Sequence, residues 1–450
     1  MSGHEVNPNI GTYPHKQISQ DIVNTLGKPG KAYLAILAFC LILVGIGAGC
    51  WFYLVIKGIG VTNLNNPVGW GLLITTFVFW VGIGHAGTLI SAILFLLRVP
   101  WRTAIFRAAE TSTIFAVMTA GLFPLIHLGR LWAMYYILPY PNGRQLWPNF
   151  RSPLVWDVLA INTYLTVSLI FFYVGLVPDI AAVRDRAKHP VAKFVLTLLS
   201  LGWMGNGRQW KHYMAAYMLF AGLATPLVIS VHSVVSWDFA MSVVPGWHTT
   251  IFAPYFVAGA ILGGLAMVLT IMIPLRAVFR VKHLIKMYHL ESMAKVLLLT
   301  ALIVGYAYGI EFFIAWYSGN PFEQSIFKYR PTGDYAWIFW GMVACNVLIP
   351  CTFFFKRVRT SILGLFLVSM GVNFGMWFER FNIIVTSLSK EFFPHTWGTY
   401  WPSWVEIGIL AGSCGWFFLL FLGFVKVLPS LSAAEIKESM PPAKSPAEAA

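Results

Sequence analysis

The chain has 450 residues, 58% of them hydrophobic and only 11% charged, with a mean hydropathy of +0.70. A soluble domain carries about a quarter charged residues, so the composition excludes one. It points to an all-α integral membrane protein, because the apolar runs are too long for barrel strands. The formal charge of +14 sits in short loops between those runs, which reads as membrane topology and contact with anionic lipid, not nucleic acid.

Residues 1–30 form a polar, mixed arm with no short apolar core ahead of a cleavage site, so no signal peptide is expected. Ten runs then follow, each long enough to cross about 30 Å of hydrocarbon. They fall at 32–56, 68–97, 103–138, 153–183, 211–240, 251–279, 292–317, 335–356, 361–387 and 401–427. The membrane domain is therefore expected over 31–428. The tail from 429 to 450, rich in Ala, Pro and charge, reads as disordered. Of the 31 Lys and Arg, 23 lie on the side of the two termini, six of them between spans 4 and 5, so both termini are expected in the cytoplasm. Cys40, Cys50, Cys345, Cys351 and Cys414 lie within or beside apolar helices and form no CxxC. This argues against an iron–sulfur cluster or structural zinc held by this chain.

With that orientation, most intramembrane ionisable groups collect at the face away from the termini. Ionisable groups at membrane depth are costly and mark pathways or pockets. The stretch from Gly121 to Ile161 is the densest: His127 and Arg130 close span 3, and Asp157 opens span 4 four residues after Pro153. Arg130 lies three residues past His127, hence on the same helical face, where it could hold Asp157 or a quinone oxygen. Trp132, Trp147, Phe150 and Trp156 surround them, as a ring pocket or an interfacial belt would. Oxidising a quinol removes two protons with two electrons, and a phenolic proton with a pKa of about 10 needs a nearby base. A histidine beside a carboxylate supplies one, so His127 and Asp157 are the expected proton acceptors.

The remaining ionisable residues have bland readings beside functional ones. His232 and Asp238, six residues apart on span 5, do not share a strict face, and a gate or supporting role suits them as well as proton transfer. Glu311 and Arg380 suggest a buried ion pair between spans 7 and 9. Glu110 with Thr111–Thr113, and His85 with Thr88 and Ser91, suggest a cytoplasmic proton path, though Ser and Thr also mediate ordinary helix packing. No helix carries the repeated histidines that bis-histidine haem b requires, so no haem is expected. A secondary transporter would place its site at the midplane, and a passive membrane anchor would leave all these polar groups structural.

Several long stretches resemble the polysulfide-reductase membrane subunit (NrfD-like) family: FWVGIGHAGTLISAILFLLR, FPLIHLGR, NFRSPLVWDVLAINTYL, GLVPDIAAVRDR, VHSVVSWDFAMSVVPGWHTTIFAPYFVAGA, IEFFIAWYSGNPFEQ and NFGMWFERFNIIV. Within that family they are most similar to the quinol-binding ActC-type subunit of bacterial alternative complex III, with the ActF-type sister subunit as the alternative. The resemblance covers residues 12 to 428. It implies ten helices arranged as two four-helix bundles, spans 2–5 and 6–9, flanked by spans 1 and 10, in the bacterial inner membrane. It also implies menaquinol oxidation near the periplasmic face, with menaquinone as product and protons translocated or not. His127 and Asp157 match the family's quinol-contacting pair, and Asp238 and Arg380 match positions associated with the pocket or a proton route. The metals would belong to partners: a periplasmic iron–sulfur subunit, multihaem and monohaem cytochrome c subunits, a second NrfD-like membrane subunit, and an oxidase or soluble carrier as acceptor.

Overall fold

The computed structural model describes residues 15–27, 29–137 and 150–438. Trp147 and the chain beyond Glu438 lie outside the described residues. Every regular element among them is helical. The helices placed to cross the membrane are α1 (Lys31–Lys57), α2 (beginning Leu72–Ile83), α3 (Phe106–His127), α4 (Pro153–Arg184) and α5 (Gly207–Ala240). They continue with α6 (Phe252–Val278), α7 (Met287–Tyr317), α8 (Ala336–Phe354), α9 (Ile362–Thr386) and α10 (Trp404–Val427). All but α2 are long and apolar enough to span by themselves, nine among the described residues against the ten expected runs.

The difference lies in α2. Its first helix stops at a turn through Gly84 and His85, and the run resumes over 86–96 in short pieces, with Leu89–Ile93 wound as a π-helix. Close approach to α3 explains the break. A Cβ on Gly84 would stand 2.8 Å from Val117, and one on Gly87 would stand 2.5 Å from the Ala109 carbonyl oxygen. The Gly87 N–H is met by Thr113 Oγ1 at 2.9 Å, so a side chain of α3 replaces the missing helical partner.

α6 is the axis of the molecule. Its apolar window is 89% buried, against 17% for α1, and it packs on α2, α5, α7 and α9. α2 also packs on α3, α3 on α4 and α4 on α5, while α7 meets α8 and α8 meets α9. α1 and α10 pair at the edge through glycines. A Cβ on Gly47 would lie 2.6 Å from the Gly412 Cα, so these two backbones touch with no side chain between them.

α3 ends at His127, well short of the expected 138. Gly129 takes the left-handed conformation (φ +67°), and its N–H reaches back to Ile126 O, which closes the helix. The end of the chain also departs from expectation. The tail read as disordered is ordered to Glu438, with Ala433–Glu438 helical and packed against the N-terminal helix His15–Asn24. Leu431 and Ile436 are buried there, and Glu435 pairs with buried Arg102 at 2.6 Å, which outweighs the polar composition.

Substituting Gly412→Val forces α1 and α10 apart at a backbone contact. We expect a cost of about 1–3 kcal/mol, read as a lowered melting temperature of the detergent-solubilised chain, whereas Gly423→Ala, with nothing within 4 Å of its Cβ position, leaves it unchanged.

Candidate functional site

The ends of α3 and α5 and the start of α4 converge on one face. Pro153 occupies the first turn of α4, where its missing N–H costs nothing, and it brings Asp157 into the second turn. Asp238 lies in the last turn of α5, which packs along α4. The two carboxyl groups face one another within hydrogen-bonding reach, and the Oδ1 atom of each is buried with no hydrogen-bond partner. Two carboxylates this close repel unless they hold a proton between them. His127, the final residue of α3, is half-buried, and its Nδ1 has no hydrogen-bond partner. Asp157 therefore meets Asp238, a pairing the sequence does not announce. Among the described contacts, none joins His127 directly to Asp157.

Arg130 corrects an expectation. Because α3 stops at Gly129, Arg130 leaves the helical face of His127; it is exposed and has no ion-pair partner among the described residues. Of the aromatic group, Trp132 and Phe150 are exposed, while Trp156 donates its ring N–H to the Phe150 carbonyl at 2.6 Å and stands edge-on to Trp237 with centroids 6.0 Å apart.

Deeper in the molecule, the α2 break brings His85 against His232 of α5, ring centroids 4.1 Å apart. His85 Nδ1 lies 2.8 Å from Val81 O and Nε2 3.1 Å from Val228 O, so its two ring nitrogens both face carbonyl oxygens. A neutral imidazole can donate to only one of them. Both nitrogens of His232 are buried without a partner. His232 and Asp238 therefore have different neighbours, as their six-residue spacing allows.

The expected Glu311–Arg380 ion pair does not form. Glu311 of α7 faces Arg330 at 3.7 Å, a residue of the helix Pro321–Thr332 that folds back into the interior. Arg380 instead pairs with its neighbour Glu379 at 2.9 Å and lies over the Phe256 ring of α6, 4.4 Å from its centroid. Glu379 Oε2 accepts from Tyr308, and Asn346 donates 2.8 Å to the Tyr308 hydroxyl. Sequence reasoning passed over Arg330, Tyr308 and Asn346. Arg330 carried no distinct signal, with Lys328 two residues away in the same polar segment; Asn346 was an amide in an apolar run.

At the opposite face, Glu110 is held by Arg107 (2.9 Å) and Tyr217 (3.2 Å), and Arg107 also reaches Asp179 (3.0 Å) and Gly175 O (2.7 Å). The ordered tail covers this cluster, with the Ala433 N–H donating to Asp179 at 3.3 Å. Outside the spans, burial pushes the Glu323 carboxyl above the usual range, opposed by the Gly246 N–H it accepts at 2.8 Å. Among the described residues, no cluster of three His, Cys, Asp or Glu is arranged to hold a metal ion.

Residues 60–390 match the family described as Polysulphide reductase, NrfD. Along nearly its whole length the chain is similar to three curated proteins. One, from Halobacterium salinarum and provisionally named as a membrane subunit of dimethyl sulfoxide reductase, is 26% identical over 92% of this chain and 94% of its own. A selenate reductase subunit of Mesobacillus selenatarsenatis is 23% identical over 89% and 94%. The Hdr-like menaquinol oxidoreductase integral membrane subunit of Archaeoglobus fulgidus is 20% identical over 89% and 95%.

The re-paired charges are separable by double-mutant cycles. Glu311→Gln with Arg330→Met should show a coupling of about 0.5–3 kcal/mol in thermal unfolding, and Glu311→Gln with Arg380→Met a clearly smaller one. The reverse order contradicts the pairing described.

Proposed function

This chain belongs to the polysulphide reductase NrfD family, and from that premise we propose that it is the quinol-binding membrane subunit of a respiratory oxidoreductase complex. It oxidises menaquinol near the outer face of a bacterial cytoplasmic membrane and hands the electrons to an iron–sulfur partner subunit. The observation that carries this reading is the facing carboxyl pair Asp157–Asp238 at the end of the bundle, beside the helix that ends in His127. The menaquinol oxidoreductase subunit of A. fulgidus among the relatives supports the choice of substrate.

The chemistry balances on this chain's residues and one partner. A quinol becoming a quinone releases two protons and two electrons. Two facing carboxylates repel until a proton comes between them, so the pair is an acceptor for one of the quinol protons. The unpartnered Nδ1 of His127 takes the other quinol proton as general base. The electrons leave for the iron–sulfur centre of the partner, one at a time. Arg130, exposed at the same face, is placed to meet that partner or lipid headgroups. Arg380, His232 and His85 support the site from the interior, Glu311 lines a neighbouring cavity, and Glu110 lies in the cluster at the far face.

We infer two four-helix groups, α2–α5 and α6–α9, with α1 and α10 at the edge, a reading that the α4–α5 and α6–α9 packing supports. The Lys and Arg bias places both termini in the cytoplasm. The ActC-type subunit of alternative complex III is the counterpart we favour, with further cytochrome c and NrfD-like subunits as partners.

The test is substitution in the assembled complex. Asp157→Asn and Asp238→Asn should each lower the rate of menaquinol oxidation by about 10²–10⁴-fold, and His127→Ala should do likewise, while the iron–sulfur partner still co-purifies. Near wild-type rates in all three, with assembly intact, would leave the chain a passive anchor.

A further inference from the structure

The carboxyl groups of the acid pair do not line the cavity beside them. This cavity, about 790 Å³, opens between the ends of α5 and α7, the loop into α6 and the Pro321–Thr332 helix. Its walls include Trp156, Trp237, Thr249, Glu311, Ala315 and Phe327; His127, Asp157 and Asp238 are not among them. We propose that this cavity is a second ring site, which takes an amphipathic aromatic ring carrying a hydroxyl donor and an oxygen acceptor, as a quinol or a hydroxyquinoline N-oxide does.

The volume falls within the range of small-molecule pockets, roughly 300–1,000 Å³. Its composition is that of a ring site, since most of the wall is apolar and a few polar side chains are set into it. The indoles of Trp156 and Trp237, edge to face at 84°, form an aromatic corner of the wall, one residue before Asp157 and Asp238 on their helices.

Among the polar groups of the wall, Glu311 is 4% exposed, and its Oε1, the atom facing Arg330, has no hydrogen bond. Arg330 stands 3.7 Å behind it, fixed in turn by Gly246 O (3.1 Å) and Ser387 Oγ (3.3 Å). The carboxylate is thus held in place electrostatically while its hydrogen-bonding capacity stays open to a donor. Thr249 Oγ1 is likewise buried without a partner and can donate to a ring oxygen. Glu323, tied to the Gly246 N–H at 2.8 Å, fixes the loop across the mouth. Beyond Ala315, exposed Trp316 and Tyr317 carry the apolar surface outward, so a ring with a lipid-like tail can enter from the bilayer edge.

The identity of the ring rests on the quinol reading above, but the site itself does not. The experiment titrates the detergent-solubilised full chain with 2-heptyl-4-hydroxyquinoline N-oxide, following quenching of the probe's own fluorescence. The wild type should bind two molecules per chain. Ala315→Phe, which fills the cavity, should bind one. Glu311→Gln and Thr249→Val should each weaken one of the two sites about tenfold, as expected for the loss of one hydrogen bond to a charged or fixed polar group. Asp157→Asn should retain the site that Ala315→Phe removes. A stoichiometry of one lost in Asp157→Asn and unaffected by Ala315→Phe overturns this proposal and leaves the acid-pair reading standing. A single site sensitive only to Ala315→Phe does the opposite.

Discussion

Arg380 is the charge around which the centre of the molecule is built. A guanidinium in a membrane interior is tolerated only where protein surrounds it and an anion is fixed beside it. Here the anion is the adjacent Glu379, and the surroundings come from three helices. The Phe256 ring of α6 lies under the cation, Gly259 leaves its Cβ space to Arg380 and Glu379, and Gly82 of α2 approaches the same guanidinium. Any side chain at Gly259 would meet Met376, Arg380 and Glu379 within 3.1–3.4 Å. The position of α6 against α2 and α9 is therefore set by the room this ion pair needs.

From that centre the polar groups extend in two directions. On one side are the paired histidines His85 and His232, within electrostatic reach of Arg380. On the other, Tyr308 and Asn346 hold Glu379, and Asn346 sits in the π-helical turn Ala344–Leu348 of α8. The π-turns of α2, α8 and α9 all occur where buried polar side chains leave or approach the helix, which is where such insertions are usually found. Beyond the histidines lies the face with Asp157, Asp238 and His127. The ionic cluster of Arg107, Glu110 and Asp179 lies at the other end, sealed by the ordered tail.

The two faces differ in how their carboxylates are engaged, although Arg107 Nε and Arg102 Nη1 at the far face are also without a hydrogen bond. At the face of the acid pair, several buried polar atoms are left without partners, and a cavity lies next to it. At the opposite face, the carboxylates of Glu110 and Asp179 are engaged by arginine, tyrosine or backbone donors. A site that must exchange protons and a hydrophobic substrate needs open valences, whereas a structural cluster needs closed ones. This contrast is why the functional reading falls on the face of His127, Asp157 and Asp238.

Apolar run length and the rarity of charge sufficed, from the sequence, to establish a helical membrane protein and the approximate place of nine of its spans. Both are one-dimensional properties, because hydrocarbon thickness and desolvation cost act on each segment independently. Pairing was not legible. Asp157 with Asp238, Glu311 with Arg330, Arg380 with Glu379 and Glu435 with Arg102 are choices among several cations and acids at similar depth. Only the packing of helices decides which two come within 4 Å. The same holds for the break at Gly84–His85 and the early end of α3 at Gly129, where close approach to a neighbouring helix or a single left-handed glycine overrides an apolar pattern that runs on.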